Sequence, residues 1–207
     1  MALEFPREMV MQACWSRAEL TLMHRQELAR SAGGLHQAKD LGEALWQASF
    51  ESDPMPPAEA DSLHADFLTL GGSLRSFLLV PMHRRLPRGL EGSSLSGNIA
   101  GISSDRTRLR VNGLVATGKV RRGDYLSIPH PQGGRELHMA AREADVASGA
   151  TEWFEVVPPL RPSVALGQAA SFREPKVEMI LTPGSLRKER HALHRWRVRF
   201  EAVQVIR

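Results

Sequence analysis

His191 and His194 are the most closely spaced of eight histidines. On a helix, their i, i+3 spacing would offer both rings to one metal ion. No acidic or cysteine partner follows at ligand spacing, so exposed histidines on a loop or strand are the favoured reading. Cys14 becomes a nucleophile only beside a base, and nothing local supplies one. Its expected state is a small buried thiol. A single cysteine also excludes an internal disulfide framework and a zinc site built from several thiolates. The pairs Gly33-Gly34, Gly71-Gly72 and Gly133-Gly134 lack the lysine or the strand-to-helix context of a phosphate-cradling loop. There is no Gly-x-Ser-x-Gly elbow. The 23 carboxylates include no close pair that stands out as acid and base. The expectation is a non-enzymatic chain, with no catalytic, cofactor-binding or metal-binding residue assigned.

Arginine is the other chemistry-bearing residue. The formal net charge is +4, from 27 Lys+Arg against 23 Asp+Glu, and the pI is about 9.8. From Arg187 to Arg207 the local balance is seven basic to two acidic residues, more than the net of the whole chain. A nucleic-acid surface would want exposed aromatics among those charges. Aromatics are only 6% of the chain, with Tyr125 the single tyrosine. Trp196 and Phe200 alternate with the arginines and so point to the opposite face, which makes nucleic acid an unfavoured partner. Arg195, Arg197 and Arg199 share one strand face. That face is either solvated or meets an acidic surface across a subunit boundary, a role suited to a planar multi-donor head. A second basic group is Arg108, Arg110, Lys119, Arg121 and Arg122.

The elements that must position these residues are mostly strands. Ala18, Leu20 and Leu22 alternate with Glu19 and Thr21, and Trp46, Ala48 and Phe50 alternate with Gln47, Ser49 and Glu51. Between them runs a glycine-containing link, and Leu28 to Lys39 is longer than a simple hairpin needs. After Pro54, Pro56 and Pro57 the period becomes helical: Ala60, Leu63, Phe67 and Leu70 predict one helix over about 57–70, stopped by Gly71-Gly72. Phe77 to Val80 predicts a short strand buried on both faces. Glu91 to Ser104, rich in Gly and Ser, predicts a long loop leading into a second unit. Four or five short strands between about Thr107 and Leu160 suggest a small barrel or compact sheet. Glu178 to Leu181 predicts a strand, and His194 to Arg207 the clearest one. Its apolar parity shifts after Ala202 to Val203 and Val205, which suggests a bulge or a second buried face.

No run approaches the roughly 18 apolar residues of a membrane-spanning helix. Glu4, Arg7 and Glu8 leave no signal-peptide core in the first ten residues. Hydrophobic residues at 42% and charged residues at 24% describe a globular, β-rich chain, expected to be soluble and self-associating.

Several segments, taken in order, resemble the distal tail (baseplate) proteins of long-tailed phages and gene-transfer-agent-like particles. They are Ala44-Leu-Trp-Gln-Ala-Ser-Phe50, the helix Pro57 to Leu70 with Gly71-Gly72, Ser76 to Met82, and Gly118 to Ile128 with its Gly-Asp-Tyr-Leu. Then come Ala144 to Thr151, Val157-Pro-Pro-Leu-Arg161, Ala165-Leu-Gly167, Val177 to Leu181 and Arg199-Phe-Glu-Ala-Val203. The set covers nearly the whole chain. The resemblance implies a mainly β protein: a β-sandwich ring domain with one α-helix, from residues 1–90 and 166–207, and an inserted small OB-like β-barrel over 91–165. It implies a structural virion protein, a ring of six-fold symmetry at the tail tip that joins the tail tube to the baseplate hub and host-adhesion apparatus. Implied partners are other copies of the chain, tail tube, hub and tape measure proteins, and receptor-binding proteins, with no membrane and no cofactor. The implied location is the virion tail tip, and the host cytoplasm during assembly. Arg195, Arg197 and Arg199 are then the expected oligomer or partner contacts. The alternative is a small-barrel module that binds single-stranded nucleic acid or saccharide through the second basic group. A hydrolase acting on cell-wall polymer is a lesser option, for want of a paired acid and base.

Overall fold

A computed structural model describes residues 4–10, 13–31, 33–130 and 134–205. The chain is mainly β: a sandwich-type unit carrying one α-helix, and a closed small barrel. The first stretch holds β1 (Arg7–Glu8), β2 (Trp15–Met23), β3 (Gln26–Arg30), β4 (His36–Asp40), β5 (Leu45–Ser52), α1 (Pro57–Leu68) and β6 (Phe77–Leu79). The middle holds β7 (Leu90–Ser94), β8 (Ser96–Ile102), β9 (Arg108–Asn112), β10 (Val115–Val120), β11 (Tyr125–Pro129) and β12 (Arg135–Ala140). There follow β13 (Ala144–Ala147), β14 (Ala150–Thr151), β15 (Phe154–Val157) and β16 (Ala169–Ser171). The chain closes with β17 (Val177–Leu181), β18 (Arg187–Ala192) and β19 (Arg195–Gln204).

The main sheet runs β1-β6-β17-β19-β5-β2, with β18 also paired to β19. Early and late segments therefore interleave, because β17 and β19 lie between β6 and β5. Alternation decides which side of each strand is buried. In β5, Trp46, Ala48, Phe50 and Ser52 are buried and their neighbours are not. In β19, Val198, Phe200, Ala202 and Gln204 take the inward positions. The helix starts where Pro57 needs no hydrogen-bond partner and buries Ala60, Leu63 and Phe67 against the sheet. Gly71 and Gly72 end it with φ of +63° and +71°, values that cost a side-chain-bearing residue strain.

The barrel closes in the order β11-β12-β15-β9-β8-β16, and β14-β13-β10-β7 form a separate four-stranded sheet. The barrel core reaches Ala170 and Phe172, so it takes in a strand beyond residue 165. In β11 and β12 both faces are used. Leu126 and Ile128 face the barrel core, while Tyr125 and Leu137 join the core of the main sheet. The Trp46 indole N–H donates to the Leu137 carbonyl at 2.7 Å across that junction.

Four expectations are corrected. Residues 91–104 are two strands and not a long loop. They lack apolar alternation because their glycines allow close backbone approach: a Cβ at Gly92 would overlap the Val115 carbonyl, and one at Gly97 the Asn112 carbonyl. Leu28 to Lys39 is a simple hairpin, with β3 and β4 in register from Gln26↔Asp40 to Arg30↔His36. No bulge follows Ala202, since Gln204 keeps the inward position and accepts a hydrogen bond from the Trp46 backbone N–H at 3.2 Å, while Val203 and Val205 are half-buried on the other face. Cys14 is exposed, because Trp15 beside it takes the inward place. The turn expected over Pro129 to Gly134 falls partly outside the described residues, as do Ala32 and Gly133.

A buried polar cluster sits at one end of the barrel. His138 places Nδ1 2.8 Å from the Pro158 carbonyl and Nε2 3.4 Å from Glu136 Oε2. Arg161 Nη1 lies 3.8 Å from the other Glu136 oxygen, and its Nε donates to Glu43 at 2.6 Å. Burial pushes the Glu136 carboxyl up, but His138, Arg161 and His130 outweigh it and hold the group below its ordinary 4.5. A depressed carboxylate contributes stability that is present above the unfolded value and lost as pH falls through the folded one. Urea melts between about pH 7 and pH 3 should show wild-type stability falling as pH drops below 4.5. Glu136→Gln should lose about 1–3 kcal/mol at pH 7 and fall less on acidification. Equal acid sensitivity in both chains would contradict this assignment.

Candidate assembly surface

β3 and β4 form a two-stranded arm in which all ten residues are exposed. Among the described residues, neither strand pairs with any other. The arm follows the ribbon of β2 and β5, whose last pair is Met23↔Leu45, and its five-residue strands are each roughly 17 Å long. Its cross-strand pairs put Leu28, Ala38, Arg30 and His36 on one face, with Glu27, Lys39, Ala29 and Gln37 on the other. Leu28 is 69% exposed, and Leu35 in the turn is 71% exposed. An isolated two-stranded hairpin is at best marginally stable in water. A surface built this way lowers its free energy by covering the arm. At the arm's root, Glu43 is held by Arg161, so the buried barrel cluster anchors the base of the projection.

Two strands of the main sheet, β2 at one end and β18 branching from β19, leave an edge open. β2 is a nine-residue strand whose outer edge carries no partner among the described residues, and β18 pairs only with β19. Arg17 and Glu19 on β2 and the charges of β18 are the residue types that discourage indiscriminate edge pairing. The two free edges differ in sequence, which is the condition for a head-to-tail contact.

The outer face of this sheet is where the sequence placed its arginines. Arg197 Nη1 donates to Glu51 Oε1 at 2.6 Å, and Arg199 Nη2 lies 3.4 Å from Glu189 Oε1. Arg17 donates to Glu19 at 2.7 Å, and the register sets Arg17 and Arg199 each opposite Glu51. Five arginines (Arg17, Arg187, Arg190, Arg197, Arg199) therefore stand among four glutamates (Glu19, Glu51, Glu189, Glu201). The face is a nearly balanced mosaic and not the basic patch that the tail's charge suggested. The acids were hard to find because they come from three other strands or from a position that looked isolated. Arg195 stands apart from its two neighbours. It lines a groove of about 690 Å³ with Cys14, Asp53, Glu59 and Asp66, between the start of β2 and α1.

Arg197 and Glu51 are each about 30% exposed, so water screens their attraction. Arg197→Ala should cost under about 1 kcal/mol of folding stability in urea titrations. A loss several times larger would show that the pair braces the sheet.

The second basic group is also dispersed. Lys119 pairs with Asp145 at 3.0 Å and Arg121 with Glu143 at 3.4 Å on the four-stranded sheet, while Arg108 and Arg110 lie on the barrel. No continuous basic track results. Among the described residues, no three His, Cys, Asp or Glu side chains gather as a metal site. His191 lies in β18, and His194 sits in the tight turn to β19 with φ +54°. No helix is long and apolar enough to cross a membrane among the described residues.

The sequence matches no protein-family model, and no curated protein matches it at a significant level.

Proposed function

We propose that this chain is a structural assembly protein that closes into a ring through its arm and sheet edges. More specifically, we read it as the distal tail ring protein of a long-tailed phage or gene-transfer-agent-like particle, joining tail tube to baseplate hub at the tail tip. The single observation that carries the reading is the wholly exposed β-arm on an open sheet. A cyclic ring needs two different surfaces that fit each other on successive copies. The arm is the projecting surface, and the unpaired edge of β2 or β18 offers the backbone groups to receive it. The ordered resemblance of the sequence to that family supports the same reading and supplies the six-fold expectation. The proposed partners follow from it: tube, hub, tape measure and receptor-binding proteins, with assembly in the host cytoplasm.

Light-scattering mass measurement and particle imaging of the purified chain test the proposal. A closed ring of identical subunits, six on the family expectation, is the expected result. A chain that stays strictly monomeric at tens of micromolar and never enters tail particles would overturn it.

A further inference from the structure

We propose that the groove beside Trp153 on the barrel binds an acidic saccharide, a sugar ring bearing a carboxylate. The site does not depend on ring assembly. Of the four tryptophans, Trp153 alone is exposed, at 46%. It walls a groove of about 550 Å³ with Ile102, Ser103, Ser104, Arg106 and Leu166, within the size range of small-ligand sites. Gly101 makes room for the ring: a Cβ there would lie 2.8 Å from the indole. An indole kept on the surface, over a position without a side chain, is a flat apolar platform for the C–H face of a sugar.

The charges favour an anion. Arg110 stands beside the groove without lining it, 5.8 Å from the Trp153 ring centroid, and no acid among the described residues pairs with it. Arg106 is locked in place by donating to the carbonyls of Leu160 (2.9 Å), Val164 (2.6 Å) and Arg161, none of which neutralises it. Among the described residues, no carboxylate lines the groove. Asp105, next in the chain, turns to Ser103 and Thr107, which hold its carboxyl down at about 2. Ser104 lines the groove, and its hydroxyl, a donor and acceptor, has no hydrogen-bond partner among the described residues. Sugar hydroxyls would meet Ser104, and the carboxylate would meet the Arg110 fork. A nucleic-acid strand fits less well, because its phosphates need a row of free cations and Lys119 and Arg121 of this unit are paired with Asp145 and Glu143.

Trp fluorescence and calorimetric titration of the full chain with hexagalacturonate at low salt test this. Maltohexaose and a short oligo(dT) serve as the neutral-sugar and nucleic-acid arms. Hexagalacturonate should bind, weaken with added salt, and outcompete both controls. Trp153→Ala and Arg110→Gln should each weaken it about tenfold or more, a change of roughly 1.4 kcal/mol. The exposed Arg110 position keeps the test valid if loss of the Trp153 indole unsettles the barrel. Failure of hexagalacturonate to bind, equal binding of maltohexaose, tighter binding of oligo(dT), or unchanged affinity in Arg110→Gln would each overturn the proposal.

Discussion

Removing residues 26–40 should abolish ring assembly while leaving the subunit folded. The arm shares no strand pairing with the rest of the described chain, and its ten strand residues are exposed. The ends are already set for a shorter turn, since the Leu41 N–H donates to the Arg25 carbonyl at 2.7 Å. Joining Arg25 to Leu41 through a short Gly-Ser turn should therefore change subunit stability by no more than about 1 kcal/mol. The assembly effect should be far larger, because every arm contact to a neighbouring copy disappears at once. Mass measurement of the shortened chain should show monomer where the parent shows ring, with matching circular dichroism and urea midpoint. If the shortened chain still assembles like the parent, the arm is not the contact, and the sheet edges alone must carry it.

Phe200→Ala should destabilise the main-sheet unit by about 4 kcal/mol, within the range for large aromatic truncations. Phe200 is 1% exposed and receives rings from four elements. Phe50 on β5 stacks on it with centroids 5.4 Å apart, and Phe67 of α1 lies at 4.4 Å. Trp15 of β2 and Phe77 of β6 meet it edge-on at 5.5 and 5.9 Å. Its loss leaves a cavity that four separate elements would have to close together, and packed aromatics also forfeit their ring–ring contacts. Urea or thermal melts measure this directly. A cost below about 1.5 kcal/mol would mean that the core repacks freely around the gap. The contrast with Arg197→Ala, three residues away on the opposite face, is the informative comparison: one strand carries a large effect inward and a small one outward.

Much of the scaffold was legible in the sequence. The period-two patterns of β5 and β19, the helical spacing from Ala60 to Leu70 and the stop at Gly71-Gly72 are local signals, set by residues within one element. The strands within 90–104 were not legible, because Gly92 and Gly97 are small for the sake of neighbours distant in sequence. The nearly charge-balanced sheet face was equally hidden. Glu51 and Arg197 are separated by 146 residues, and only strand order makes them partners.

Sequence alone determined a β-rich chain with one helix, and which side of most strands is apolar, because burial alternates with a period the backbone imposes. Tertiary structure alone decided that β3 and β4 stand clear of the sheet as an arm and that the arginine face is largely neutralised. It also decided that Trp153 stays on the surface beside an unpaired arginine. Each of these depends on what lies across a strand boundary or on what fails to cover a surface, and neither is encoded in the spacing of neighbouring residues.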